Sequence, residues 1–118
     1  MRKIYILQIY SVFRFCNFFS EYPPTIAEGL KINMASKTWP IIQENVDDIL
    51  TVTEDEIAVA TETIWERMKV VVETSGAVTF AVTLTPEFKA RGHRNVGVIL
   101  SGGNVDFRDL PWLNGLKK

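Results

Sequence analysis

The sequence predicts an α/β fold, an incomplete open sheet flanked by helices, and three stretches carry that prediction. Val96-Gly97-Val98-Ile99-Leu100 is a β-favouring, apolar run that Ser101-Gly102-Gly103-Asn104 stops abruptly with residues that turn. Ile49-Leu50-Thr51-Val52 reads as a second short buried strand. Between them, Thr53-x-x-Glu56 is a capping box, Glu54 and Asp55 suit the positive end of a helix dipole, and Ile57, Ala60, Ile64, Met68 and Val71 recur at helical spacing. An amphipathic helix from Glu54 to Val71, packed on the sheet, is expected.

Composition bounds what such a fold can do. A chain of 118 residues makes at most one domain with a modest core, and 47% apolar with 23% charged residues is a globular balance. A net charge of −1 supplies no basic face to displace counterions, which argues against nucleic acid and against anionic membranes as partners. Cys16 is the only cysteine, so no intrachain disulfide and no Cys₂His₂ or Cys₄ zinc site is possible, and a reducing, cytoplasmic setting is expected. His93, also alone, lies in a charged Arg91-Gly92-His93-Arg94 stretch far from Cys16, and is expected to be structural or exposed rather than half of a Cys-His pair.

In chain order, Arg2 and Lys3 precede an apolar run, Ile4 to Phe13, with the charged start and apolar middle of a secretory signal. Arg14 interrupts it, no small-x-small cleavage site follows, and the run is too short to span a bilayer, so residues 1–21 read as an unmatched apolar leader, a replaced or mistranslated start grafted onto the body. Tyr22-Pro23-Pro24 is a rigid break at that boundary. Thr25 to Gly29 has the form of a capped turn, Thr25 as cap and Glu28 three residues on. Thr38 is placed to cap a short helix with Trp39 and Pro40 in its first turn and with Ile41, Ile42 and Val46 facing the core. After the long helix, Ser75 is expected to cap a further helix from Val78 to Leu84, and Glu73 read by itself is a solvated helix-end carboxylate. Residues 107–118 form a divergent tail in which Leu110-Pro111-Trp112-Leu113 closes over a hydrophobic edge.

The end of the Val96 strand is a good place for chemistry. In open α/β sheets ligands sit beyond the carboxyl ends of strands, and two glycines there let backbone amides and a small hydroxyl approach a planar ligand; an ordinary strand followed by a glycine turn accounts for the same residues. Context sharpens the choice. Thr25-Ile26-Ala27-Glu28-Gly29, Thr38-Trp39-Pro40-Ile41-Ile42, Val46-Asp47-Asp48-Ile49, Trp65-Glu66-Arg67-Met68-Lys69, Glu73-Thr74-Ser75-Gly76-Ala77 and the Val96 to Asp106 stretch follow one another in this order. Together, over residues 22–106, they resemble the C-terminal part of the serine racemase and threonine dehydratase family, which are fold-type II pyridoxal-phosphate (PLP) enzymes.

The resemblance implies that the chain is the C-terminal portion of such an enzyme's large domain. It implies Ser101 as partner of the cofactor's ring nitrogen, Gly102, Gly103 and Gly29 as close backbone approaches, and Glu73 as a carboxylate beside the cofactor. Lys69 and Asn104 match positions that hold ATP at the dimer interface of the eukaryotic racemases, whose Mg site lies in the upstream part. The implied activity is α-proton abstraction from an amino acid such as L-serine or L-threonine, followed by racemisation or by loss of water to a keto acid and ammonia, in a homodimer. Three departures stand out: Glu28 replaces a usual aspartate, Thr74 replaces a usual proline and so predicts a looser loop, and Phe88-Lys89-Ala90-Arg91-Gly92 imitates the Schiff-base lysine box without its leading serine. Lys89 sits just before the Val96 strand, in what reads as a solvated loop, so the mimicry is coincidental and no catalytic lysine is assigned. No glycine-rich phosphate loop occurs. The chain is therefore expected to be inactive alone; the alternative is a noncatalytic fragment that pairs with a full-length relative through its incomplete sheet.

Overall fold

The computed structural model describes residues 25–31, 36–108 and 110 together with the backbone of residues 5–9. Tyr5–Ile9 forms strand β1, Trp39–Asn45 helix α1, Asp48–Val52 strand β2, Glu54–Thr63 helix α2, Thr74–Leu84 helix α3 and Pro86–Ala90 helix α4. The strands run parallel, Tyr5 opposite Asp48 and Ile9 opposite Val52, so β1 lies within the stretch read as a leader and borders the predicted second strand. Cys16, Tyr22 to Pro24 and Pro111 to Leu113 lie outside the described residues.

Strand β2 alternates where it meets the helices: Leu50 and Val52 are buried while Thr51 between them is exposed. They pack with Ile57 and Ala60 of α2, Val78, Ala81 and Val82 of α3, Phe88 of α4, and Ala27. The period of two on the strand and the 3.6-residue spacing on the helices thus meet in one core. A smaller cluster joins Ile64, Val72 and Ala77, with Trp65, Phe80 and Leu100 packed against it. Among the described residues no helix is long and apolar enough to cross a membrane.

The capping box at Thr53 forms as its residues predict: the Glu56 amide donates to Thr53 Oγ1 (3.2 Å) and the Thr53 amide to Glu56 Oε2 (2.7 Å). The helix it starts is shorter than its apolar spacing suggests. After Thr63 the backbone widens into a π-helical turn, Ile64–Met68, and Lys69 then turns left-handed at φ 59°. The apolar stripe consequently ends at Ile64, leaving Met68 and Val71 exposed rather than in the core. A wider turn shifts each later residue off the stripe that a 3.6-residue repeat would extend.

Other expectations are corrected in the same way. Helix α3 begins at Thr74, not Val78, with Glu73 at its cap position, and Ser75 falls within the first turn. On α1, Thr38 makes no side-chain cap bond, Ile41 is 61% exposed, and Ile42 and Val46 are half-buried, because the short, seven-residue helix lies outside both hydrophobic clusters. Thr25 Oγ1 accepts the Ala27 amide (3.1 Å), and a 3₁₀ turn over Glu28–Leu30 follows. Lys89 lies in α4 rather than a loop: Thr85 Oγ1 caps the Phe88 amide, and Phe88 anchors the turn in the core. His93 is exposed and tilts over the Phe88 ring, 5.5 Å between centroids.

The largest correction concerns residues 96–100, which form no strand. A strand is defined by a ladder of paired backbone groups, and no described strand runs beside this segment. It lies instead on α3, where the Ile99 carbonyl accepts from Thr79 Oγ1 (2.9 Å). Leu110 is buried.

Candidate functional site

Glu73 owes its position to the start of α3. Its backbone is extended (φ −74°, ψ 159°), and its carbonyl accepts the Gly76 and Ala77 amides at 3.0 and 3.2 Å. Its side chain makes no capping bond. It lies half-buried between two glycines from distant parts of the chain. A Cβ on Gly29 would stand 3.5 Å from Glu73 Oε1, and a Cβ on Gly102 would overlap the carboxylate and come 2.8 Å from Glu73 Cγ. Gly102 is also in the left-handed region, φ +75°, where a side chain is disfavoured.

The loop that carries Ser101, Gly102 and Gly103 is held onto this corner by backbone contacts. The Glu73 amide donates to the Gly102 carbonyl (3.2 Å). Gly76 lets the Ser101 carbonyl settle on α3: a Cβ there would land on that oxygen and sit 2.7 Å from Val72 Cγ2. Trp65 supports both sides, its Nε1–H donating to the Val72 carbonyl (2.9 Å) and its ring meeting that of Phe107 at 5.4 Å. The structure thus brings Gly29, Glu73 and Gly102 together, with Ser101 and Gly103 exposed on either side of Gly102. Lys69 and Asn104 are exposed on the two segments that meet here, Lys69 at its left-handed turn and Asn104 just beyond Gly103.

Several residues that hold the site had no functional reading in the sequence. Ser75, expected as a cap, accepts the Gly29 amide at its Oγ (2.9 Å). Glu54, read only as a helix-start carboxylate, accepts the Ile26 amide at Oε2 (2.9 Å). Thr74 tightens the loop it was expected to loosen, since its hydroxyl donates to the Ile26 carbonyl at 2.5 Å. Only the run of small residues, Ser75-Gly76-Ala77, signals such close packing in advance.

A carboxylate walled by glycines, a neighbouring neutral hydroxyl and free backbone approach suit one edge of a planar, polar ligand. Side chains at 29 or 102 would collide with the Glu73 corner, so glycine at both lets the carboxylate sit against the backbone, and with Ser101 exposed beside it these residues fit the polar edge of a PLP ring. The fold is a partial α/β domain, and its corner brings a carboxylate and two glycines together. The family model of pyridoxal-phosphate dependent enzymes matches residues 3–102, and the chain belongs to that family, with a partial fold-type II domain. Among the proteins it resembles are serine racemases and a threonine deaminase. Serine racemase of Bos taurus is 48% identical over 97 residues, covering 80% of this chain and 29% of its own length. The crystal structure of serine racemase from Dictyostelium discoideum superposes with a TM-score of 0.67 at 49% identity, over 72% of this chain and 28% of that one. The crystal structure of a T.th. threonine deaminase gives a TM-score of 0.68 at 39% identity, over 75% of this chain and 32% of that one. The chain thus spans about a third or less of the length of these relatives.

Proposed function

We propose that this chain supplies the ring-facing edge of the cofactor site in a PLP-dependent serine racemase or serine/threonine dehydratase. The observation that carries the reading is the Glu73 carboxylate inserted between Gly29 and Gly102. In this reading Ser101 pairs with the ring nitrogen through a neutral hydroxyl, Gly102, Gly103 and Gly29 leave room beside the ring, and Glu73 sets the charge along its edge. When bound, PLP supplies an electron sink that eases proton loss from the α-carbon of an amino acid. A neutral Ser101 hydroxyl tempers that sink compared with a carboxylate partner, because it does not hold the ring nitrogen protonated. Racemisation and dehydration of L-serine or L-threonine share this proton removal, so one corner serves both.

The same reading gives Lys69 and Asn104 a share in an ATP site, and places the Mg site, the cofactor-linking lysine and the phosphate loop on residues outside this chain. It includes a homodimer for the complete enzyme and a cytoplasmic setting consistent with the lone Cys16. The isolated chain is expected to show no turnover. A second reading, a noncatalytic fragment that pairs with a full-length relative, is favoured by one observation: Ile99, 77% exposed, lies on an apolar segment beside which no described strand runs.

A chimera tests the first reading. Residues 25–106 replace the matching segment of Bos taurus serine racemase, and D-serine and pyruvate are assayed from L-serine. Retained product formation, reduced at least tenfold by Ser101→Asp, is expected. A chimera that folds and binds PLP yet forms neither product refutes the reading.

A further inference from the structure

The segment carrying Gly29 is tied to the rest of the fold by three side chains from the starts of two helices. Glu54 at the first turn of α2 accepts the Ile26 amide, Thr74 donates to the Ile26 carbonyl, and Ser75 accepts the Gly29 amide. Two of these bonds bridge 48 and 46 residues of sequence, so neither is a local turn bond. Nor does α3 need these hydroxyls for its own start, because the Glu73 carbonyl accepts the first helical amides and no side chain caps the helix. The two hydroxyls are therefore committed across elements. Between the points they hold, Ala27 is fully buried in the main core.

We propose that Thr74 and Ser75 are positioning residues, a pair of hydroxyl clamps that fix the Gly29 backbone against the Glu73 carboxylate. The adjacency in sequence is what makes the device work. Residue 73 presents the carboxylate, and residues 74 and 75, on the same rigid helix start, grip the strip of backbone that faces it. Any shift of α3 then moves Glu73 and Gly29 together and preserves the gap between them. The inference rests on the reading of that gap as a cofactor edge only for its consequence in catalysis; the clamp itself is a property of this chain.

Amide hydrogen exchange of the whole chain, followed by NMR, tests it. Loss of one such hydrogen bond changes a local opening equilibrium by roughly fivefold. Thr74→Val is expected to raise exchange at Gly29 about fivefold while the Ile64 amide, which is bonded to the Ala60 carbonyl in α2, stays within about twofold. Thr74→Ser keeps the hydroxyl and is expected to restore Gly29 protection. Ser75→Ala provides an independent arm, since it leaves Thr74 in place and must also expose Gly29. Gly29 protection unchanged in Ser75→Ala overturns the proposal, even if Thr74→Val does not fold. So does equal loss in Thr74→Val and Thr74→Ser, or a rise at Ile64 matching that at Gly29. An inactive chimera bears on the cofactor reading alone and leaves the exchange result standing.

Discussion

Replacing Gly76 by alanine sets two effects of opposite sign against each other. Within a helix the change ordinarily stabilises by up to about 1 kcal/mol, because alanine loses less backbone freedom than glycine. Here the added methyl would land on the Ser101 carbonyl oxygen and stand 2.7 Å from Val72 Cγ2. The oxygen is backbone and has no rotamer to escape through, so either α3 or the Ser101 loop must shift. Overpacking of this kind costs about 1–3 kcal/mol. If the loop moves, the Glu73 amide to Gly102 carbonyl bond and the Thr79 to Ile99 carbonyl bond go with it, each contributing roughly 1 kcal/mol. Steric cost wins, and Gly76→Ala is expected to destabilise by about 2–4 kcal/mol, lowering the melting temperature by roughly 8–16 °C for a domain of this size. Far-UV circular dichroism melts and urea titrations of the two proteins measure it. A Gly76→Ala variant as stable as the parent, or more so, would show that Ser101 does not pack on α3 and would remove the support for the whole corner.

Three further outcomes are expected. Thr53→Ala removes one side of the capping box and should cost about 1 kcal/mol in urea titration, with the Glu56 amide losing exchange protection. Lys69→Gly relieves the left-handed backbone at φ 59° and should raise stability by roughly 0.5–1 kcal/mol; a loss would mean that the Lys69 side chain holds the turn. Gly102→Ala strains a backbone at φ +75° and displaces the Glu73 carboxylate, so it should cost about 1 kcal/mol or more in the chain and weaken PLP binding in the chimera, read by cofactor absorbance.

What was legible in the sequence follows from the range of the interactions involved. The Thr53 cap, the buried face of β2 and the Ile57, Ala60, Ile64 stripe depend on neighbours within a turn or two, and each forms where its spacing puts it. The π-helical turn after Thr63 breaks the 3.6-residue spacing that the apolar stripe would otherwise extend, and no residue of that stripe signals the break. Val96 to Leu100 shows the opposite case. Its composition has the character of a buried strand, but strand formation takes a partner, and among the described residues no strand runs beside it while the Ile99 carbonyl accepts from a helix hydroxyl.

The site divides along the same line. The candidate residues Glu73, Gly29, Ser101, Gly102 and Gly103 are singled out by their ordered resemblance to a family, whereas by composition alone Glu73 is a helix-end carboxylate. The residues that organise them, Glu54, Thr74, Ser75 and Gly76, act over tens of positions through one hydroxyl, one carboxylate oxygen or one missing methyl. Such contacts leave no periodic trace. Thr74, where the resembled motif has proline, is itself held by the bond of its hydroxyl to the Ile26 carbonyl. The carboxylate, the glycine that faces it and the hydroxyls that hold the two in register all converge on the first turn of α3. That helix start therefore positions the corner as one unit, and its geometry should survive transfer into a longer relative so long as Thr74, Ser75 and Gly76 travel with Glu73.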